Sequence, residues 1–191
     1  MSALKMNQFP RPQRGATLIE ILVTLVIIAF GLLGMVGLQT RLQISEMESY
    51  QRTQALLLLN DMANRIATNR TNAASYLIAA GSPVGTGASC GGIGTSTQVQ
   101  RDRTDWCHAL QGRSERISGT SAYVGAMIGG RGCVELGGVG EYMVTIAWQG
   151  MTPLAAPPTT VACGAGQYNG GACSNDLCRR AVTTLVRVAT L

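Results

Sequence analysis

Six cysteines, Cys90, Cys107, Cys133, Cys163, Cys173 and Cys178, all fall in the C-terminal part of a 191-residue chain. Thiols at that density serve as metal ligands, as nucleophiles or as disulfides. A metal centre would draw on Cys173-x4-Cys178 and His108, the only histidine. Structural zinc wants a further cysteine pair or a closely spaced histidine pair beside the first, and the sequence has neither. Cys107 and His108 are adjacent, and helix neighbours point ~100° apart, which separates a nucleophile from its base. No serine lies in a nucleophile elbow. Gly137-Gly138-Val139-Gly140 lacks the strand-loop-helix setting of a phosphate cradle and reads as a hairpin turn. The sequence therefore points away from an enzyme, with no catalytic residue, no metal and no cofactor expected. Disulfides remain, and with them an oxidising compartment. Six cysteines admit fifteen pairings, among which the sequence does not choose. The loop-local pair Cys90 with Cys107 is preferred, with Cys163, Cys173 and Cys178 stapling the C-terminal loop and last strand to a sheet.

A second pattern with chemical content lies at the other end. Ala16 to Leu38 reads ATLIEILVTLVIIAFGLLGMVGL, 23 residues in which Glu20 is the only charge. As a helix this is ~34 Å long, enough to cross a ~30 Å hydrocarbon core. A carboxylate in such a helix costs ~2.5–3.5 kcal/mol at the bilayer centre and less near an end, so Glu20 calls for a partner. Residues 1–15 carry Lys5, Arg11 and Arg14 without an acid, and Pro10 and Pro12 keep them from a stable helix. Positive charge there predicts a cytoplasmic leader and an exported C-terminus. The apolar run is longer than the ~7–15 residues of a secretory signal, and no A-x-A pattern closes it.

The processing signal precedes the apolar run instead. RGATLIEILVTLVIIAFGLLG resembles the class III signal of type IV prepilins and pseudopilins, in which a basic leader ends in glycine before F-T-L-I-E and an apolar helix. Ala16 stands where that family most often has phenylalanine. The resemblance implies that a prepilin peptidase cuts between Gly15 and Ala16 and methylates the new amine. It also implies that Glu20 pairs, within a fibre, with the terminal amine of the next subunit. IIAFGLLGMVGLQ, LLLLNDMANRIATNR, DRTDWCHAL and GEYMVTIAWQ further resemble the PilV-type minor pilins, the type IV pilus modification family.

The elements that position these residues follow from periodicity. No proline occurs between Pro12 and Pro83, and Leu38 to Asn69 is rich in helix formers, so one helix of ~54 residues is expected. Ala55, Leu59, Met62 and Ile66 share one face. Leu56 to Leu59 spread around most of the circumference, which predicts burial on more than one side. Gly31, Gly34 and Gly37 recur every third residue, either for close packing in a membrane or to let the helix melt on extraction into a fibre.

All but four of the 24 glycines fall at or after Gly81, so the exported part has long loops and few regular elements. A helix around Asp102 to Gln111 would bury Trp106 and Leu110. Glu141 to Gln149 and Arg180 to Ala189 alternate as half-buried strands, with Cys133 to Leu136 a third. Antiparallel pairing of these on the long helix makes an α+β, pilin-like fold. The expected organisation is a cleaved leader over 1–15, a transmembrane half-helix over 16–38, a periplasmic half-helix over 39–70 and a disulfide-containing head over 71–191.

Bulk charge does not indicate a nucleic-acid partner, because Lys5, Arg11 and Arg14 supply three of the five net positive charges. Arg101, Arg103, Arg113 and Arg116 surround Trp106 but alternate with Asp102, Asp105 and Glu115, which reads as a solvated face. The resemblance implies an inner-membrane, single-pass precursor that becomes a low-abundance fibre subunit. It would prime assembly and sit near the tip, supporting adhesion and twitching motility. Its partners would be other minor pilins, the major pilin, the prepilin peptidase, the pilus assembly platform and a tip adhesin. A minor pseudopilin of a type II secretion system shares the leader and stem and is the alternative. A DNA-capture minor pilin, resting on the arginine cluster, is the other.

Overall fold

The computed structural model describes residues 15–113, 118, 123, 125 and 127–189. With no proline to interrupt it, α1 runs through Leu18–Thr68, 51 residues. The described chain falls into two compact units, divided between Gln43 and Ile44.

The first unit is the apolar part of α1. A window of 18 residues in this helix reaches a mean hydropathy of 2.8, long and apolar enough to cross a membrane. Its large side chains, from Leu18 to Leu42, are all exposed. Gly31, Gly34 and Gly37 have open space where a Cβ would stand.

The second unit is an α+β, pilin-like head built on the rest of α1. After a 3-10 segment, Arg70–Tyr76, come β1 (Val84–Gly85), a 3-10 turn at Cys90–Ile93, α2 (Gln98–Leu110), β2 (Arg131–Gly138), β3 (Glu141–Gln149) and β4 (Arg179–Arg187). The strands form one antiparallel sheet in the order β1-β2-β3-β4. Gln51, Ala55, Leu59, Met62 and Ile66 of α1 are buried in a spacing of three and four, the stripe of a helix lying on a core. The sheet answers with Val134, Val144 and Ile146, and α2 with Trp106 and Leu110, all in the same cluster. Leu56 and Leu57 are 41% and 60% exposed; within this chain the four leucines are buried on one side only.

Local sequence explains the element ends. Thr97 caps α2 by accepting from Gln100 N at 3.2 Å, while Gln100 Oε1 accepts from Thr97 N at 3.1 Å, a reciprocal capping box. The β2–β3 hairpin turns at Val139-Gly140, where Gly140 has φ +70°, a left-handed conformation that glycine adopts without a Cβ clash.

The sheet departs from the sequence expectation in three respects. β2 extends beyond Cys133–Leu136 at both ends, and β1 adds a fourth strand inside a stretch expected to be loop, through Val84↔Gly132 and Gly85↔Arg131. Two residues carry no period, so propensity could not expose it. β3 is not half-buried: Thr145 and Ala147, on the face away from α1, are both fully buried. The loop between β3 and β4 folds back over that face and is bonded to it by a Cys133–Cys163 disulfide.

Candidate functional site

Gly15, Ala16 and Thr17 are non-helical and exposed, and α1 begins at Leu18. The Thr17 carbonyl accepts from Glu20 N at 3.0 Å and Ile21 N at 3.2 Å, which closes the first helical turn immediately after the junction. A peptide bond outside regular structure and open to solvent is the kind a protease can take up. Glu20 lies in the first turn, where the unsatisfied N–H groups of the helix favour an acid. Lys5, Arg11 and Arg14 lie outside the described residues.

In the head, the six cysteines form three disulfides: Cys90–Cys107, Cys133–Cys163 and Cys173–Cys178. The first ties the 3-10 turn to α2. The second ties the β3–β4 loop to β2. The third closes a loop of sequence separation 5 next to β4, so the last strand is bonded to the sheet by its ladder and not by a cysteine. Cys107 is fully buried in its disulfide and carries no thiolate. His108 faces Arg113, whose Nη1 lies 2.9 Å from Nε2. Burial first, and then the Arg113 charge, hold the imidazole below its ordinary range.

A carboxylate that the charge alternation puts on a solvated face is instead the head's main polar junction. Asp102 is 5% exposed. It accepts from Arg65 Nη1 at 2.9 Å, from Gln98 Nε2 at 2.8 Å and from the Tyr76 hydroxyl. The carboxylate turns inward because three donors from three elements converge on it, which offsets the cost of burying charge. Asp61, one helical turn before Arg65, holds the same guanidinium at 3.0 Å. Arg101 bonds locally to Thr95 O, Ser96 O and Gln98 Oε1. Arg103 is half-buried, and that desolvation lowers its guanidinium below the ordinary range. Arg116 and Glu115 lie outside the described residues.

A second polar knot holds the loop that covers the outer face. Arg179 is 3% exposed. It donates to Val161 O at 2.6 Å and Cys163 O at 3.2 Å and pairs with Asp176 at 3.1 Å. Tyr168 donates to Gly129 O at 2.8 Å under the Arg131 guanidinium. From α1, Glu48 accepts from Met151 N at 2.8 Å and from Arg180 at 3.3 Å. None of these residues stood out in the sequence. Only the i, i+4 spacing of Asp61 and Arg65 was a visible sign that one of these knots involved the stem.

Both knots are structural, and they leave the N-terminal junction as the part of the chain with a recognisable chemistry. Residues 10–36 match the family described as the prokaryotic N-terminal methylation motif. The match spans Gly15, Ala16 and Glu20 and runs into the apolar first unit. It supports a prepilin- or pseudopilin-type protein. No curated protein and no solved structure matches the chain. The motif and the exposed apolar helix together fit membrane anchoring followed by incorporation into a pilus-like fibre.

Proposed function

We propose that this chain is a minor subunit of a type IV pilus, of the PilV type, made as a precursor and cut between Gly15 and Ala16 by a prepilin peptidase that methylates the freed amine. Residues 1–15 are the leader, 16–38 span the inner membrane, and 39–70 and 71–191 stand in the periplasm until the subunit is extracted into the fibre. There Glu20 pairs with the terminal amine of a neighbouring subunit. The protein joins other minor pilins to prime assembly on the platform and remains near the tip beside an adhesin, supporting attachment and twitching motility.

The observation that carries this reading is the methylation-motif match over residues 10–36 at the head of a helix whose apolar side chains are uncovered. An isolated helix with that surface needs lipid or other helices around it. Leu56 and Leu57, exposed in the second unit, supply further apolar surface for neighbouring stems. The test is the N-terminal peptide mass of protein purified from cells with and without the peptidase. Methylated Ala16 is expected in the first and Met1 in the second; Met1 in both overturns the reading. Recovery in sheared fibres from a strain lacking type II secretion separates the pilus role from the pseudopilin one.

A further inference from the structure

β4 ends the sheet. Among the described residues its strand neighbour is β3 alone, and the pairing from Glu141↔Arg187 to Gln149↔Arg179 runs without a bulge. Val188 N donates to Gly140 O at 2.8 Å and Gly150 N donates to Cys178 O at 2.7 Å. Antiparallel ladders alternate residue by residue, so both bonds fix the even-numbered residues as those joined to β3. Ala181, Thr183, Leu185 and Arg187 therefore turn their N–H and C=O groups outward, and no described residue bonds them. Proteins usually blunt such an edge with proline, charged side chains, a bulge or brevity. The opposite edge, β1, is two residues long. β4 has nine and contains no proline, and its charges, Arg179, Arg180 and Arg187, stand at the ends and leave Ala181 to Val186 uncharged.

Alongside this edge, a cleft of about 520 Å³ lies between α1 and the start of β4, lined by Ser45, Ser49, Arg52, Trp148, Leu154 and Val182. Leu154 is 59% exposed. Arg52 is exposed and has no ion pair or hydrogen bond with a described residue. Glu48, the acid nearby, is already held by Arg180 and Met151 N. The strand itself carries Arg179, Arg180 and Arg187 and no acid. The absence of an acid argues against a second copy as occupant. Arg179 and Arg187 are already paired with Asp176 at 3.1 Å and Glu141 at 2.8 Å, and antiparallel self-pairing centred on Thr183 would bring Arg52 alongside a second β4 that has no carboxylate to offer it.

We infer that the outer edge of β4 receives an extended strand of a different protein, apolar at alternate positions and acidic where it passes Arg52. Main-chain hydrogen bonds to Ala181, Thr183 and Leu185 supply the affinity. The cleft over Trp148 and Val182 takes an apolar side chain and so fixes the register, as in other strand-addition complexes. The pilus reading bears only on where this partner is found, among the other proteins of the fibre; the edge chemistry stands without it.

The experiment uses the full chain in detergent and two short peptides of alternating valine and threonine, one with glutamate at both ends and one with lysine. Amide hydrogen exchange is followed residue by residue. The glutamate-ended peptide is expected to slow exchange at Thr183 and Leu185, leaving Val182, Thr184 and Val186 protected throughout, and to bind about threefold more tightly than the lysine-ended one at low salt. Arg52→Glu should reverse that preference, and Thr183→Pro should abolish protection. If Thr183→Pro does not fold, the charge reversal at residue 52 decides the matter alone. Equal protection by both peptides, none by either, or concentration-dependent protection without peptide overturns the inference, the last in favour of self-pairing. None of these outcomes depends on whether the leader is cleaved.

Discussion

Arg65 of α1 donates to Asp102 of α2 at 2.9 Å, and this one bond, with those from Tyr76 and Gln98 to the same carboxylate, ties the stem to the elements that follow it. Removing Asp102 would strand three donors around a space that holds charge. Breaking a buried pair costs ~3–5 kcal/mol. Arg65 keeps Asp61 and its side chain is 29% exposed, so Asp102→Ala should sit at the low end of that range. Asp102→Asn, which keeps an acceptor oxygen for Arg65 and Gln98 and can offer an N–H to the Tyr76 hydroxyl oxygen, should cost less. Thermal unfolding of the detergent-solubilised chain distinguishes them.

The same junction predicts an alkaline limit. Burial, reinforced by the bond to Asp102 and opposed by Asn69, raises the Tyr76 hydroxyl above its ordinary value of 10.0. The folded state then holds its proton more tightly than the unfolded state. The resulting stability is complete below about pH 10 and is lost as pH rises through the higher folded value. Tyr76→Phe should lower stability by about 1 kcal/mol at neutral pH, through the lost hydrogen bond. It should also flatten the decline above pH 10; unfolding midpoints compared with wild type across that range check the sign.

Trp106 packs its ring onto the bare backbone of Gly132. A Cβ at residue 132 would overlap Trp106 Cη2 and Cζ3 and come within 2.8 Å of Leu110 Cδ1. Gly132→Ala should therefore cost ~1–3 kcal/mol by overpacking. Trp106→Phe removes the overlapping atoms and also the indole bond to Leu58 O at 2.9 Å. The double variant should be less destabilised than the sum of the two singles, a coupling that a mutant cycle measures directly.

That contact also marks where the sequence stopped being informative. α1, α2, β3 and β4 were legible because each carries a period: Ala55, Leu59, Met62 and Ile66 at helical spacing, Tyr142 to Trp148 at strand spacing. β1 was not, because Val84 and Gly85 pair only once the chain has returned at Gly132. The inward turn of Asp102 was hidden for the same reason. Its partners come from residues 65, 76 and 98, and no local pattern announces a convergence of that kind. At the N-terminal junction the reverse holds. Gly15, Ala16 and Glu20 are contiguous with the apolar run, so the methylation motif over residues 10–36 is visible without any long-range contact.

The three disulfides should differ in value because they close different lengths of chain. In the chain-entropy account, separations of 30, 17 and 5 residues correspond to about 3.6, 3.1 and 2.1 kcal/mol. Cys133–Cys163 should matter most for a further reason. It holds the loop that covers Thr145 and Ala147, both fully buried, and its loss would let water reach that face of the sheet. Paired serine replacements should lower the melting temperature in the order Cys133/Cys163, then Cys90/Cys107, then Cys173/Cys178. A larger loss for the third pair than the first would contradict the ranking.

Glu20 offers the sharpest separation of anchoring from assembly. In a bilayer its carboxylate is a cost, so Glu20→Gln and Glu20→Ala should insert at least as well as wild type. On the proposed pairing of Glu20 with the freed amine, an unpaired amine in a fibre of packed helices would be the cost instead, and losing its partner should forfeit ~3–5 kcal/mol, roughly two orders of magnitude or more in incorporation. Glutamine keeps the shape and loses the charge, so it should fail as alanine does; aspartate keeps the charge on a shorter arm and should retain part of the function. The ratio of protein in sheared fibres to protein in membranes reads this directly. Normal incorporation of Glu20→Gln would mean that the acid is merely tolerated near the end of the span.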